Sequence, residues 1–125
     1  MNRDENPAIS LVIPVFNESE NLLELYDEII DSCENLKRTY EIIFVDDGSW
    51  DDSFVLLKKI QSQDSKVKII RLRRNFGQTA SISAGFDYSR GDIIITLDAD
   101  LQNDPKDFGA LIQKIEDGYD IVSGW

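Results

Sequence analysis

Hydrophobic and polar residues alternate in blocks along the chain. Residues 9–15 form an almost unbroken apolar run rich in β-branched side chains, which is typical of a strand covered on both faces. Residues 40–45, 67–72 and 92–97 form three more runs of this kind, and a fifth begins at residue 119. Each run predicts one strand of a largely buried sheet.

The segments between the strands carry a helical pattern. From Leu22 to Cys33, apolar residues recur at spacings of three and four, which indicates a helix with one buried face. We expect either Asn17 or Ser19 to cap the start of this helix. A capping box from Ser49 to Asp52 is expected to open a second helix, which runs to about residue 60.

Two further helices are predicted after strands three and four. The first covers residues 79–89 and tolerates Gly85, and the second begins with Asp104 and Pro105. Strands that alternate with helices predict an α/β fold, with three α/β/α layers, a mostly parallel sheet and right-handed crossovers. A length of 125 residues fits a single domain, residues 1–125.

The charge of the chain narrows the choice of partners. With 13 basic and 24 acidic residues, the net charge is −11, so we expect no nucleic-acid partner. A nucleoside diphosphate can still bind when a divalent cation bridges it to the protein. The single cysteine, Cys33, excludes an internal disulfide, and no apolar run approaches the ~20 residues that span a bilayer. The chain is therefore expected to be cytoplasmic.

Acidic and polar residues follow three of the predicted strands. They are residues 14–18, 46–49 and 98–102, which come after strands one, two and four. Open α/β sheets bind their ligands at this edge. Because clustered carboxylates repel one another unless cations or hydrogen-bond donors compensate, a ligand site explains the pattern better than stability does.

Asp98 and Asp100 are the candidate metal ligands and catalytic residues. They lie two residues apart in an extended segment, so their side chains leave on one side, and Gln102 repeats the spacing. Mg²⁺ or Mn²⁺ suits an all-oxygen site, whereas the absence of histidine argues against zinc. The alternative is that this Asp-x-Asp pattern only caps the next helix.

The earlier loops supply candidate ligands for a nucleotide. Asp46 and Asp47 can accept hydrogen bonds from a nucleobase or ribose, or can simply form a turn with the following Gly-Ser pair. Asn17 and Glu18 can likewise contact the nucleoside or cap a helix. Arg74, in the loop after strand three, can reach a diphosphate or remain a solvated charge.

Four segments in order resemble the signature of glycosyltransferase family 2. They are residues 13–18, 45–49, 74–77 and 97–105. They are more similar to the polyprenyl-phosphate branch, which contains the dolichol-phosphate mannosyltransferases and the bactoprenol glucosyltransferases. The resemblance implies a GT-A fold, of which this chain is the Rossmann-like nucleotide-binding half.

The resemblance also implies roles for particular residues. It places Asp98, Asp100 and Gln102 around the metal. The residues implied around the nucleoside are Pro14, Phe16, Glu18 and Asp47. With the other loop residues, the full set of substrate-binding candidates is Pro14, Phe16, Asn17, Glu18, Asp46, Asp47, Ser49, Arg74 and Gly77.

Such relatives continue beyond the position of Trp125 with a basic stretch for the lipid phosphate and with membrane-associated helices. We therefore expect a truncated chain that binds the donor but transfers little sugar alone. An exposed sheet edge would allow it to form a homo-oligomer. The full-length enzyme is expected at the cytoplasmic face of the membrane.

The predicted function is inverting transfer of a hexose from a UDP- or GDP-sugar to a polyprenyl or dolichyl phosphate. The alternatives are a family member with a saccharide or cell-wall acceptor, and a non-catalytic nucleotide-binding module. Two other classes fit less well. A signalling receiver needs an aspartate after strand three and a lysine after strand five, and this sequence has neither at those positions. A nucleotidyltransferase needs a glycine-rich basic loop after strand one, whereas residues 14–18 are neither glycine-rich nor basic. The sequence leaves the sugar, the base and the acceptor open.

Overall fold

The computed structural model describes residues 6–34 and 38–97, in which strands and helices alternate as predicted. The elements are β1 (Ile9–Val15), α1 (Leu22–Cys33), β2 (Tyr40–Asp46), α2 (Ser53–Gln63), β3 (Val67–Arg71), α3 (Gln78–Tyr88) and β4 (Ile93–Thr96). Their bounds match the predicted ones to within a few residues at each end. The helix and strand predicted after residue 104 lie outside the described residues.

The four described strands form one parallel sheet in the order β3-β2-β1-β4. Ile9 of β1 lies opposite Tyr40 of β2 on one side and Ile93 of β4 on the other. All carboxyl ends therefore meet at one edge, which we call the carboxyl edge. The strand order reverses beside β1, and α/β folds bind ligands at such a point.

One face of the sheet is covered by α1 and α2. Residues at every second position of β1 and β2 point to this face, as the two-residue period of a strand requires. The core there is built by Ile9, Leu11, Ile13, Val15, Leu22, Leu25, Ile29, Ile42, Phe44, Leu57 and Ile95, with others. Cys33 belongs to this core, and burial raises the pKa of its thiol to about 12, so the thiol stays protonated and packs as an apolar group.

The other face carries α3, which completes the predicted three layers. Here Val12, Ile43 and Val45 form a smaller core against Ala84 of the helix. Gly85 lets the helix approach β1 closely, because a Cβ atom at this position would lie 2.3 Å from Val12 Cγ1. No helix within residues 6–34 and 38–97 combines the length and the apolar character that crossing a membrane requires.

The predicted cap of α1 is wrong. The N-cap residue is Asn21, and its side chain makes no capping hydrogen bond. Asn17 and Ser19 bond instead to the loop after β2, where Asp51 accepts the backbone N–H of Ser19 at 3.2 Å. Hydrogen bonds to another loop have therefore replaced the expected bonds to the first turn of α1.

The capping box predicted from Ser49 to Asp52 is also wrong. Helix α2 begins at Ser53, and its N-cap residue Asp52 makes no side-chain capping bond. The hydroxyl of Ser49 accepts the backbone N–H of Asn17 at 2.9 Å. Both corrections have the same cause, since a tertiary contact between two loops uses the groups that a local cap would have used.

Candidate functional site

The loops after β1 and β2 are joined through Asn17. Its backbone N–H donates to Ser49 Oγ at 2.9 Å, and its Oδ1 accepts the N–H groups of Trp50 at 3.0 Å and Asp51 at 3.4 Å. Asn17 has a φ of 52°, in the left-handed region, which asparagine tolerates better than most residues. The chain thus turns sharply at Asn17 and presents both its N–H and its side chain to the second loop.

A second set of hydrogen bonds joins Glu18 and Ser19 to the start of α2. The N–H of Glu18 donates to the buried Ser53 Oγ at 2.9 Å, and a carboxylate oxygen of Glu18 accepts Asn21 Nδ2 at 3.0 Å. Asp51 accepts the N–H groups of Ser19 and Ser53. Burial opposes its ionisation, but the hydrogen bonds from Ser53 and Ser19 outweigh burial and lower its pKa. Asp51 is therefore a charged anchor between the two loops.

Two aromatic rings lie on this junction. The centroids of Phe16 and Trp50 are 5.0 Å apart, and the ring planes meet at 86°. Phe16 is half-buried, whereas 79% of Trp50 is exposed. Pro14 lies nearby in sequence, half-buried near the end of β1, opposite Val45 of β2. The rings give the carboxyl edge an apolar surface beside its polar loops.

Asp46 is fully buried at the end of β2. Its Oδ1 accepts the N–H of Ser49 at 3.0 Å, which shapes the turn, while Oδ2 has no hydrogen-bond partner among residues 6–34 and 38–97. Arg71 Nε lies 4.0 Å from Oδ2, and the Arg71 guanidinium stacks over the Phe54 ring, 4.0 Å from its centroid. In this arrangement Asp46 faces the protein interior.

Asp47 is 4% exposed and holds the loop after β3. Its Oδ1 accepts the N–H of Phe76 at 2.7 Å, and its Oδ2 accepts the N–H of Gly77 at 2.9 Å and the side-chain amide of Asn75 at 2.8 Å. One carboxylate thus fixes three consecutive residues.

Gly48 allows the same loop to pass directly over the turn. A Cβ atom at Gly48 would lie 2.3 Å from the carbonyl carbon of Arg74 and 2.5 Å from the nitrogen of Asn75, and its φ is +72°. The close approach of the backbone requires glycine, and the positive φ favours it. The guanidinium of Arg74 lies over the Phe76 ring, 4.8 Å from its centroid. Residues 16–19, 47–53 and 73–77 therefore form one connected unit, the three-loop site.

The predicted metal ligands Asp98, Asp100 and Gln102 lie outside the described residues. Within residues 6–34 and 38–97, no three His, Cys, Asp or Glu side chains converge as a metal site would require. Leu97, the last described residue, donates its N–H to the carbonyl of Val12 at 3.0 Å, beyond the end of β4. The metal site remains a prediction from the sequence.

The comparison with family models decides the family. The model described as Glycosyl transferase family 2 matches residues 10–125, which include the whole three-loop site. The chain belongs to glycosyl transferase family 2. The family resemblance drawn from the four sequence motifs is confirmed.

Solved structures agree on the glycosyltransferase fold. A mannosyltransferase from Pyrobaculum calidifontis, in complex with GDP-Man and Mn²⁺, superposes with a TM-score of 0.68 at 18% identity, over 77% of this chain and 28% of its own. S. aureus TarS in complex with UDP-GlcNAc superposes with a TM-score of 0.63 at 21% identity, over 85% of this chain and 31% of its own. The complex of TarS with UDP gives 0.65 at 22%, over 85% and 32%. The chain thus spans about a third or less of each structure.

The three-loop site brings most of the predicted substrate-binding residues together. The loops that contain Phe16, Asn17, Glu18, Asp47, Ser49, Arg74 and Gly77 are joined by direct contacts, while Asp46 lies buried beneath the turn. Ser53, Asn75 and Trp50 belong to the unit but were not predicted as site residues. Asn75 and Trp50 each stand beside a predicted residue in the sequence, whereas only the folded chain reveals the contact of Ser53 with Glu18.

Proposed function

We propose that this chain is the donor-binding part of an inverting glycosyltransferase, which moves a hexose from a nucleoside diphosphate sugar to a polyprenyl or dolichyl phosphate. Membership of glycosyl transferase family 2 supports glycosyl transfer as the class of reaction. The observation that carries the donor assignment is the three-loop site. It joins three loops at the edge where α/β sheets bind nucleotides.

The nucleoside binds among the loops after β1 and β2. Phe16 and Pro14 contact the base, and Asn17 and Glu18 lie on the ribose side. GDP-Man in the P. calidifontis structure and UDP-GlcNAc in the TarS structure support a nucleoside diphosphate sugar as the donor class.

Asp47 takes part in two ways. An ionised carboxylate has about four acceptor positions, and the loop after β3 uses three of them. One position remains for an N–H group of the base, while the three bonds hold the loop that carries Arg74 and Gly77 toward the diphosphate. Asp46 acts indirectly, because it is buried and shapes the turn through Ser49.

Asp98, Asp100 and Gln102 would hold a divalent cation, Mg²⁺ or Mn²⁺. Carboxylate and amide oxygens are the ligands that these hard cations prefer, and the P. calidifontis structure contains Mn²⁺. Bound there, the ion supplies Lewis-acid stabilisation of the charge that develops on the leaving diphosphate. Arg74, in the loop after β3, adds a positive charge that also interacts with the diphosphate.

The acceptor is proposed to be a lipid phosphate, with the full enzyme at the cytoplasmic face of a membrane. A phosphate is already an anion near neutral pH and attacks without a strong base, whereas an alcohol acceptor requires one. The similarity of the four motifs, residues 13–18, 45–49, 74–77 and 97–105, to the polyprenyl-phosphate branch supports this acceptor. A saccharide or cell-wall acceptor is the second candidate, since the family match alone does not distinguish acceptors.

The donor and metal assignments are tested by replacing both Asp98 and Asp100 with Asn. Titration calorimetry measures the binding of UDP, GDP and their sugar derivatives with and without Mn²⁺. We expect Mn²⁺ to tighten nucleotide binding to the unmodified chain. In the double variant this metal-dependent gain should fall by more than roughly tenfold, since even the loss of outer-shell partners costs metal sites that much.

The control is Asp31→Asn, which removes an exposed carboxylate near the end of α1. This variant should bind as the unmodified chain does, and all variants should unfold at the same temperature. An unchanged metal-dependent gain in the double variant contradicts the metal site. Failure of the unmodified chain to bind any of the nucleotides contradicts donor binding.

A further inference from the structure

We propose that Trp50 is a stacking surface for the nucleobase of the donor, an inference that rests on the proposed function. The residue lies in the three-loop site, at the carboxyl edge, with 79% of its surface exposed. A single exposed apolar side chain is ordinary on a protein surface and indicates nothing by itself. The case for Trp50 depends on how it is held and what it faces.

The backbone of Trp50 is fixed in advance of binding. Its N–H donates to Asn17 Oδ1, and Asn17 in turn is held by Ser49 and has a φ of 52°. Asparagine tolerates this conformation better than most residues, and here hydrogen bonds of both its backbone N–H and its side chain with the second loop hold it in place. A fixed backbone leaves only the side-chain freedom of the ring to be lost when a ligand stacks on it, so more of the contact energy appears as affinity.

The second observation is the geometry of the ring pair. Phe16 and Trp50 meet at 86° with centroids 5.0 Å apart, so that the two rings form a right-angled corner. A flat base lying on one ring presents its edge to the other ring, and aromatic groups favour both of these contacts. Because Phe16 is a predicted nucleoside contact, the base that reaches it also reaches the corner.

The surroundings of Trp50 favour a base over a lipid surface. Asp51 and Asp52 follow directly in the sequence. Burial opposes ionisation of the nearby Asp51 carboxylate, but hydrogen bonds from Ser53 and Ser19 outweigh burial and lower its pKa, so it stays charged. An anionic membrane repels such a loop. A nucleobase is neutral and flat, and it stacks on indole whichever base it is.

Fluorescence tests the contact directly. The chain has two tryptophans, so Trp125→Phe leaves Trp50 as the only indole. We expect UDP and GDP, with Mg²⁺, to quench its emission in a saturable way, at the concentrations at which calorimetry detects binding. Vesicles rich in anionic lipid should leave the emission unchanged.

Affinity measurements with Trp50→Ala supply the second test. Loss of base stacking is expected to weaken UDP and GDP binding roughly five- to hundredfold. Trp50→Phe should retain most of the affinity, and inorganic pyrophosphate with Mg²⁺, which has no base, should bind the Ala variant unchanged. The matched control is Tyr88→Ala, which removes an exposed ring at the far end of α3.

The outcomes separate this inference from the proposed function. If the unmodified chain binds nucleotides and Trp50→Ala binds them as tightly as Tyr88→Ala does, stacking is wrong while donor binding stands. An equal loss for pyrophosphate would mean that the loop had collapsed, which also overturns the inference. A blue shift with vesicles but not with nucleotides would assign Trp50 to a membrane contact. If the unmodified chain binds no nucleotide, the proposed function fails first.

Discussion

At the scale of single residues, Asp46 and Asp47 show how neighbours in sequence acquire different tasks. Asp46 ends β2 and faces the protein interior below the turn, where its Oδ1 accepts the N–H of Ser49. Asp47 leaves the strand on the other side and accepts three hydrogen bonds from residues 75–77. The two-residue period of the strand separates them, so that only Asp47 connects two loops.

Removal of the Asp47 carboxylate is expected to loosen the loop after β3. We predict that Asp47→Ala lowers the free energy of unfolding by about 2–4 kcal/mol, because hydrogen bonds to charged groups contribute roughly 1.5–3 kcal/mol each and do not add fully. The stability of Asp47→Asn should lie between that of Asp47→Ala and that of the unmodified chain. Its side-chain amide keeps one acceptor oxygen, but its NH2 group faces the hydrogen-bond donors of residues 75–77. Urea unfolding measures both.

The control for this prediction is Asp87→Ala, which removes an exposed carboxylate from α3. It should change the unfolding free energy by less than about 0.5 kcal/mol, as is usual for surface positions. Equal stability of Asp47→Ala and the unmodified chain would show that these hydrogen bonds do not hold the loop in solution.

At the scale of elements, α3 packs closely on β1 because Gly85 of the helix has no side chain. Gly85 is buried in the helix, and Val12 fills the space that a Cβ atom would need. Glycine lowers the stability of a helix interior by about 1 kcal/mol relative to alanine. The close contact between helix and sheet therefore outweighs the local preference of the chain.

Gly85→Ala is expected to destabilise the chain despite the better helix propensity of alanine. The added methyl would lie 2.3 Å from Val12 Cγ1, and a β-branched side chain in a core has little room to move. We predict a net loss of about 1–3 kcal/mol, the usual range for overpacking. Thermal and urea unfolding measure it.

A double-mutant cycle makes this prediction specific. In a Val12→Ala background, which removes the obstructing methyl groups, Gly85→Ala should be neutral or stabilising. Ser83→Ala, at an exposed position of the same helix, should be mildly stabilising through propensity alone. Additive effects of the Gly85 and Val12 changes would mean that the two positions do not compete for space.

At the scale of the whole molecule, Glu41 links three other segments of the sheet by hydrogen bonds at the amino ends of the strands. This buried carboxylate of β2 accepts Ser10 Oγ of β1 and Lys68 Nζ of β3, each at 2.5 Å, and the N–H of Arg90, before β4, at 2.7 Å. Burial opposes its ionisation, but the hydrogen bonds from Lys68, Ser10 and Arg90 outweigh burial and lower its pKa.

The lowered pKa of Glu41 predicts a loss of stability in acid. Because the folded pKa lies below the ordinary value of 4.5, the ionised group stabilises the fold above that pH, and this contribution is lost as the pH falls through the folded pKa. Glu41→Gln should lower the unfolding free energy at pH 7 by about 1–3 kcal/mol. It should also flatten the decline in stability below about pH 5, as the pH falls through the lowered pKa.

Unfolding curves at a series of pH values test this prediction. Asp51 and Asp64 also have lowered pKa values, so part of the acid decline should survive in Glu41→Gln. The exposed Glu24→Gln is the control and should leave the curve of the unmodified chain in place. A parallel decline in Glu41→Gln and the unmodified chain would contradict the role of Glu41.

The sequence by itself determined the family and the order and type of the elements within the described residues. Buried strands read as continuous apolar runs and helices as three- and four-residue spacings, so β1 and α1 were predicted with their observed bounds. The four motifs indicated a glycosyltransferase because they occur in order along the chain. For Asp98, Asp100 and Gln102, the sequence remains the basis of the metal prediction.

Only the tertiary structure decided which partner each polar group takes. Asn17 and Ser49 are plausible local caps in the sequence, yet they bond to each other across 32 residues. Asp47 suits a simple turn equally well, yet it binds a loop about 30 residues away. A local pattern shows that a group can form a hydrogen bond, but the partner is set by the strand order β3-β2-β1-β4, which brings distant loops to one edge.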